Sequence, residues 1–148
     1  MFPRVRVSGG IPTMLTDAEL ERRKPVWTAL SELWLDTELE DGDLQRIAHV
    51  AAVSSYTVAE LRDIYLYEVA PVVSPNLLAV AGEWAGFDEP WLHAEARKRA
   101  EHRSAWLRVW VYIRAGRGLM TYATERHWRH IVSLLPTANE RKPTAGNA

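Results

Sequence analysis

A chain of 148 residues, 25% of them charged and 47% apolar, with a formal net charge of −1, has the size and composition of one ordinary globular domain. It contains no cysteine, which excludes disulfides, thiolate metal sites, iron–sulfur clusters and a cysteine nucleophile. No apolar run approaches the ~18 residues of a membrane-crossing helix. Met1 to Gly10 carry Arg4 and Arg6 but no apolar stretch of a secretory signal, so a soluble, bacterial-type cytoplasmic protein is expected.

Residues 1–13, with Gly9, Gly10 and Pro12, read as a flexible arm, and Met14 reads as the more natural beginning. Thr16 and Glu19 have the spacing of a capping box. Behind them Leu20, Val26, Trp27, Leu30, Leu33 and Trp34 form an apolar stripe at helical spacing. Pro25 predicts a kink or a fresh start within that helix. Residues 36–43 form an acidic turn broken at Gly42, and residues 43–53 follow as a short helix with Leu44, Ile47, Ala48 and Ala51 inward.

Thr57 and Glu60 make a second capping box, before a helix with Val58, Leu61, Ile64, Tyr65 and Glu68 on one face that Pro71 should stop. Ser74 and Pro75 carry the signature of a new helix start, and Gly82 should end it. Glu83 to Phe87 then form a tight aromatic turn. Asp88, Glu89 and Pro90 open the longest expected helix, from Trp91 to Ala115. Within it, residues 106–114 fit both the helical and the strand period, so periodicity alone leaves that stretch open. A last helix carries Tyr122, Glu125, Trp128, Ile131, Val132 and Leu135 and ends at Pro136. These elements predict a single all-α compact bundle of five or six helices over residues 14–136, with a disordered tail at 137–148.

Charge is unevenly laid out along this plan. Residues 1–92 hold 7 Lys and Arg against 15 Asp and Glu, whereas residues 93–130 hold 9 against 3. Such halves either neutralise each other or present a charged face to a partner. An EF-hand reading of the acidic turn fails, because a loop started at Asp36 has Ile47 where the bidentate glutamate belongs. His127 and His130 share a helix face but lack a third ligand, and Arg126 and Arg129 stand next to them, so no metal and no cofactor is implied. His49, His93 and His102 have no partner at ligand spacing. Nucleophile and phosphate-loop motifs are absent, which leaves an enzyme with no recognisable motif as a remote reading.

Several segments resemble a family of small bacterial proteins of unknown function: Arg22 to Trp27, Ala29 to Ser31, Leu35 to Leu39, Glu68 to Pro71, Asn76 to Leu78 and Ala81 to Asp88. The resemblance covers about residues 14–92 and leaves the basic part outside. It implies no catalytic residues, but it supports Met14 as the start and singles out 36–39 and 81–88.

The function expected from the sequence is a non-catalytic protein-binding module, concretely an immunity-type protein that neutralises a basic toxin. Asp36, Glu38, Glu40, Asp41, Asp43, Glu83 and Asp88 would supply the charge, and Trp84 an aromatic anchor. The alternative is a nucleic-acid binder using the basic helix 97–114, with Arg97, Lys98, Arg99 and Arg103 on phosphates. Neither reading involves a membrane, and both leave the oligomeric state open.

Overall fold

The computed structural model describes residues 14–34, 39–77, 87–102, 109 and 122–136, and every regular element among them is helical. Helix α1 (Asp17–Ser31) opens where Thr16 accepts the Glu19 N–H at 3.2 Å. Only that half of the expected capping box forms. The Glu19 carboxylate turns away and accepts the Tyr56 hydroxyl at 2.6 Å and Arg23 Nε at 3.1 Å. Hydrogen bonds to an ionised carboxylate from a guanidinium and a buried phenol outweigh a solvated cap.

Pro25 lies inside α1 and does not restart it. The carbonyl it deprives of a donor belongs to Glu21, and both residues are exposed, so water can serve that carbonyl. A 3-10 turn (Glu32–Trp34) then carries the apolar stripe on to Leu33 and Trp34, both buried.

Helix α2 (Asp41–Val53) begins two residues before its expected start, with Gly42 inside the first turn and not at a break. Its inner face is Leu44, Ile47, Ala48 and Ala51, as the periodicity predicts. Ser55 follows in the left-handed region, at φ 62°, the conformation with which helices commonly end. Thr57 then starts α3 (Val58–Asp63) with a complete capping box, the Glu60 N–H reaching Thr57 Oγ1 at 3.2 Å and the Thr57 N–H reaching Glu60 Oε2 at 2.7 Å.

The rod continues through a π-helical turn (Ile64–Val69) into α4 (Ala70–Leu77). Pro71 therefore does not stop the helix, and Pro75 does not open a new one. The π-turn supplies the reason: Ala70 N–H reaches back five residues to the Tyr65 carbonyl. The ladder is thus already widened where proline lacks a donor and crowds the preceding turn.

Helix α5 (Glu89–Glu101) is capped by Asp88, whose carboxylate accepts the Trp91 N–H at 2.9 Å. It does not run on unbroken to Ala115. His102 leaves the helical region, with its N–H and its ring Nδ1 each 3.0 Å from the Lys98 carbonyl. A side chain that competes for a ladder carbonyl favours a helix end. Within the ambiguous stretch 106–114 only Val109 is described, and it is helical and exposed. Helix α6 (Tyr122–Leu134) closes the fold before Pro136.

The helices share one core, with Trp27, Leu30, Ile47, Tyr65, Val69, Leu92 and Ile131 among its fully buried side chains. Helix α1 packs on α2, α5 and the π-turn, and α6 packs on α2. Across the middle, Trp128 stacks on Tyr65 at 5.3 Å, and Trp34 lies 6.2 Å from the same ring. No described helix is long and apolar enough to cross a membrane. The expected arm at 1–13 and tail at 137–148 lie outside the described residues.

Candidate functional site

Among the described residues, four places hold polar chemistry. The first is the acidic beginning of α2. The Asp43 carboxylate accepts the Glu40 N–H at 3.2 Å and lies 3.6 Å from Arg46 Nη2. Asp41 and Glu40 are exposed, and Asp41 makes no ion pair or hydrogen bond with any described residue. Helix geometry thus fixes the direction of these charges while leaving Asp41 uncompensated among the described residues. Asp36, Glu38, Glu83 and Trp84 lie outside the described residues. Asp88 is spent on capping α5.

The second is a cleft of about 310 Å³ between α1, α2 and α5. Pro25, Ala29 and Val50 form its apolar side, and Thr28 and His93 meet across it with Oγ1 and Nε2 2.8 Å apart. Burial holds the His93 imidazole below the usual histidine range, against the pull of Glu89 one turn earlier on α5. At the mouth, Arg46 forms a two-pronged ion pair with Glu32, one prong being 3.0 Å, and Lys24 is held by Glu21 at 2.6 Å. Arg46 of α2 and Glu89 from the first turn of α5 both line the cleft.

This cleft is not visible from sequence. His93 has no partner at ligand spacing along the chain, because its partner Thr28 is 65 positions away. The one available signal is Glu89 and His93, four apart and hence on one face of a helix.

The third is a buried network. Glu68 in the π-turn takes Arg23 Nη1 at 2.5 Å and Trp27 Nε1 at 2.7 Å. Arg23 also binds Glu19, which takes the Tyr56 hydroxyl. Burial, followed by the bond to Glu19, pushes the Tyr56 phenol above its ordinary range. Arg22 covers the Tyr56 ring at 3.9 Å and donates to the Ser54 carbonyl at 2.7 Å. Glutamate at the core position of the stripe Leu61, Ile64, Tyr65 and Glu68 was the sequence signal for this network.

The fourth is the basic helix α5. Arg97 pairs with Glu101 at 3.0 Å and Lys98 with Glu95 at 2.6 Å, so each is neutralised on its own helix. Arg99 is exposed without a described ion pair, and Arg103 lies outside the described residues. Glu101 is nearly buried and also accepts the Leu15 N–H at 3.1 Å, tying the start of α1 to the end of α5.

The described ion pairs also bear on whether the two halves cancel. The only one that crosses between them, among the described residues, is Arg62 to Glu125 at 3.1 Å, in which the acidic half supplies the cation. No described group of three His, Asp or Glu side chains is placed to hold a metal ion. His130 is exposed, and the buried His127 Nδ1 has no hydrogen-bond partner.

An all-helical domain built around one core is the class these features define. The chain belongs to the family described as a domain of unknown function, DUF7079, whose model matches residues 21–134. That match runs well beyond residue 92, so the basic segment belongs to the family domain, contrary to the span expected from sequence. No curated protein and no solved structure matches the chain.

Proposed function

We propose that this chain is a non-catalytic protein-binding module of the bacterial cytoplasm that docks a basic partner surface against the acidic start of α2. An immunity-type role, in which it neutralises a basic toxin, is the concrete form of that reading. The observation that supports it most is the exposed Asp41, which pairs with no described residue, beside Glu40 on a helix start held in place by capping.

Exposed charge of one sign on a rigid frame raises the encounter rate with an oppositely charged surface. Among the described residues, Arg97 and Lys98 of α5 do not consume that charge, since each is held by its own glutamate. The same pairing counts against a nucleic-acid role for these residues, because a phosphate would have to displace a carboxylate already in place.

Capture of a specific, salt-sensitive basic protein by the intact chain is the expected result of a pull-down at low and moderate salt. Replacing Asp36, Glu38, Glu40, Asp41 and Asp43 by their amides should weaken that binding and flatten its salt dependence. Unchanged binding by the five-fold variant would overturn the proposal, and recovery that disappears on nuclease treatment would favour the basic helix instead.

A further inference from the structure

We propose that the cleft between α1, α2 and α5 is a binding site for an organic cation of the alkylammonium or guanidinium class. The inference does not rest on the protein-docking reading, since a free amine would serve the cleft equally well.

Three observations carry it. At about 310 Å³ the cleft matches the small end of ligand sites and holds one short chain and its head group. Its Pro25, Ala29 and Val50 side offers an apolar bed for a methylene stem. Its charge balance then selects the head group.

The charged groups that line the cleft, with their direct ion-pair partners, are Glu21, Glu32, Asp43 and Glu89 against Lys24 and Arg46. Both cations are already held by carboxylates, whereas Glu89 has no described ion pair and faces the same space as His93. The half-buried imidazole of His93 is discouraged from taking a proton, so it does not repel a cation beside it. An anionic ligand would instead meet Glu89 directly and would have to break the Arg46–Glu32 or Lys24–Glu21 pair.

The test is a titration of the intact, isotope-labelled chain by NMR, reading the His93 ring and the Thr28 and Glu89 backbone amides. Butylamine and agmatine should give saturable shifts at those positions, and butyrate at equal ionic strength should give none. Glu89→Gln should weaken agmatine binding about tenfold, the loss of one charge-assisted hydrogen bond. Glu95→Gln, which removes the same charge from another part of α5, should leave it unchanged.

A short blocked peptide with a central arginine distinguishes the sources of the cation. Tighter binding of the peptide than of agmatine assigns the cleft to a partner's side chain, and the reverse assigns it to a free amine. Absence of saturable shifts with both amines, equal shifts with butyrate, or equal losses in the two glutamine variants would overturn the proposal.

Discussion

The indole N–H of Trp27 donates to a carboxylate oxygen of Glu68 at 2.7 Å, and neither side chain reaches solvent. The second oxygen of Glu68 takes Arg23, so a buried charge is met by an opposite charge and a neutral donor together. This is what makes a glutamate tolerable at a core position of the π-turn, and it locks α1 to that turn.

Removing the carboxylate should therefore cost more than removing the donor. Glu68→Ala leaves the half-buried Arg23 guanidinium with Glu19 as its one described ion-pair partner, strips the buried Trp27 N–H of its acceptor, and is expected to lose roughly 3–5 kcal/mol. Trp27→Phe keeps most of the ring but strips one hydrogen bond from a buried acceptor, for roughly 1–3 kcal/mol. Urea denaturation of both variants checks the order. A smaller loss for Glu68→Ala would show that the ion pair is not what holds α1 to the π-turn.

Trp128 is the second expected weak point. Its ring stacks on Tyr65 at 5.3 Å and lies beneath the Arg62 guanidinium at 5.2 Å, which in turn binds Glu125. Trp128→Ala should cost about 3–5 kcal/mol through the cavity it leaves. Glu125→Gln, at a half-exposed pair, should cost less than about 1 kcal/mol. Thermal unfolding of the two variants is the measurement, and similar losses would contradict the assignment of α6's docking energy to the aromatic stack.

Stability should fall with acid in two stages. The pKa of His93 is depressed by burial, so the unfolded chain takes the proton more readily. Its contribution is complete above the ordinary value of 6.5 and is lost as pH falls from there through its lower folded value.

The carboxylates give the second stage. Burial would raise Glu19, but the Tyr56 hydroxyl and the Arg23 and Arg22 charges outweigh it, while Arg97 and then the Leu15 N–H lower Glu101. Their contributions are present above the ordinary 4.5 and vanish as pH drops through the folded values. Denaturation curves at a series of pH values should show both stages. His93→Gln should abolish the upper stage alone.

Charge and capping can be separated at the start of α2. Asp41→Asn should change stability by no more than about 0.5 kcal/mol, because Asp41 is exposed and makes no described contact. It should nevertheless slow association with a basic partner. Asp43→Ala removes the carboxylate that accepts the Glu40 N–H and should cost about 1 kcal/mol. Stopped-flow association beside thermal melts reads the two effects separately, and a slowed association only in Asp43→Ala would tie the rate to helix order and not to charge.

Local chemistry by itself determined most of the helical plan. The Thr57 and Asp88 caps, the inner face of α2 and the stripe from Val26 to Trp34 all stand as their spacing requires, because they depend on contacts within a few residues. The prolines were misleading for a related reason. A proline's effect depends on whether its surroundings can absorb a missing donor, and exposure at Pro25 and the widened turn before Pro71 do so.

Tertiary structure alone decided the site. Thr28 meets His93, Trp27 meets Glu68, and Glu101 holds Leu15 across 65, 41 and 86 positions of chain. No periodicity encodes such pairings, since each polar side chain finds its partner only after the apolar faces have set the angles between helices. The sequence did determine the uneven distribution of charge. The pairs that neutralise Arg97 and Lys98 are also local, three and four residues apart on α5, whereas only packing brought Arg62 to Glu125 and left Asp41 without a described partner, because such pairs form by distance in space and not along the chain.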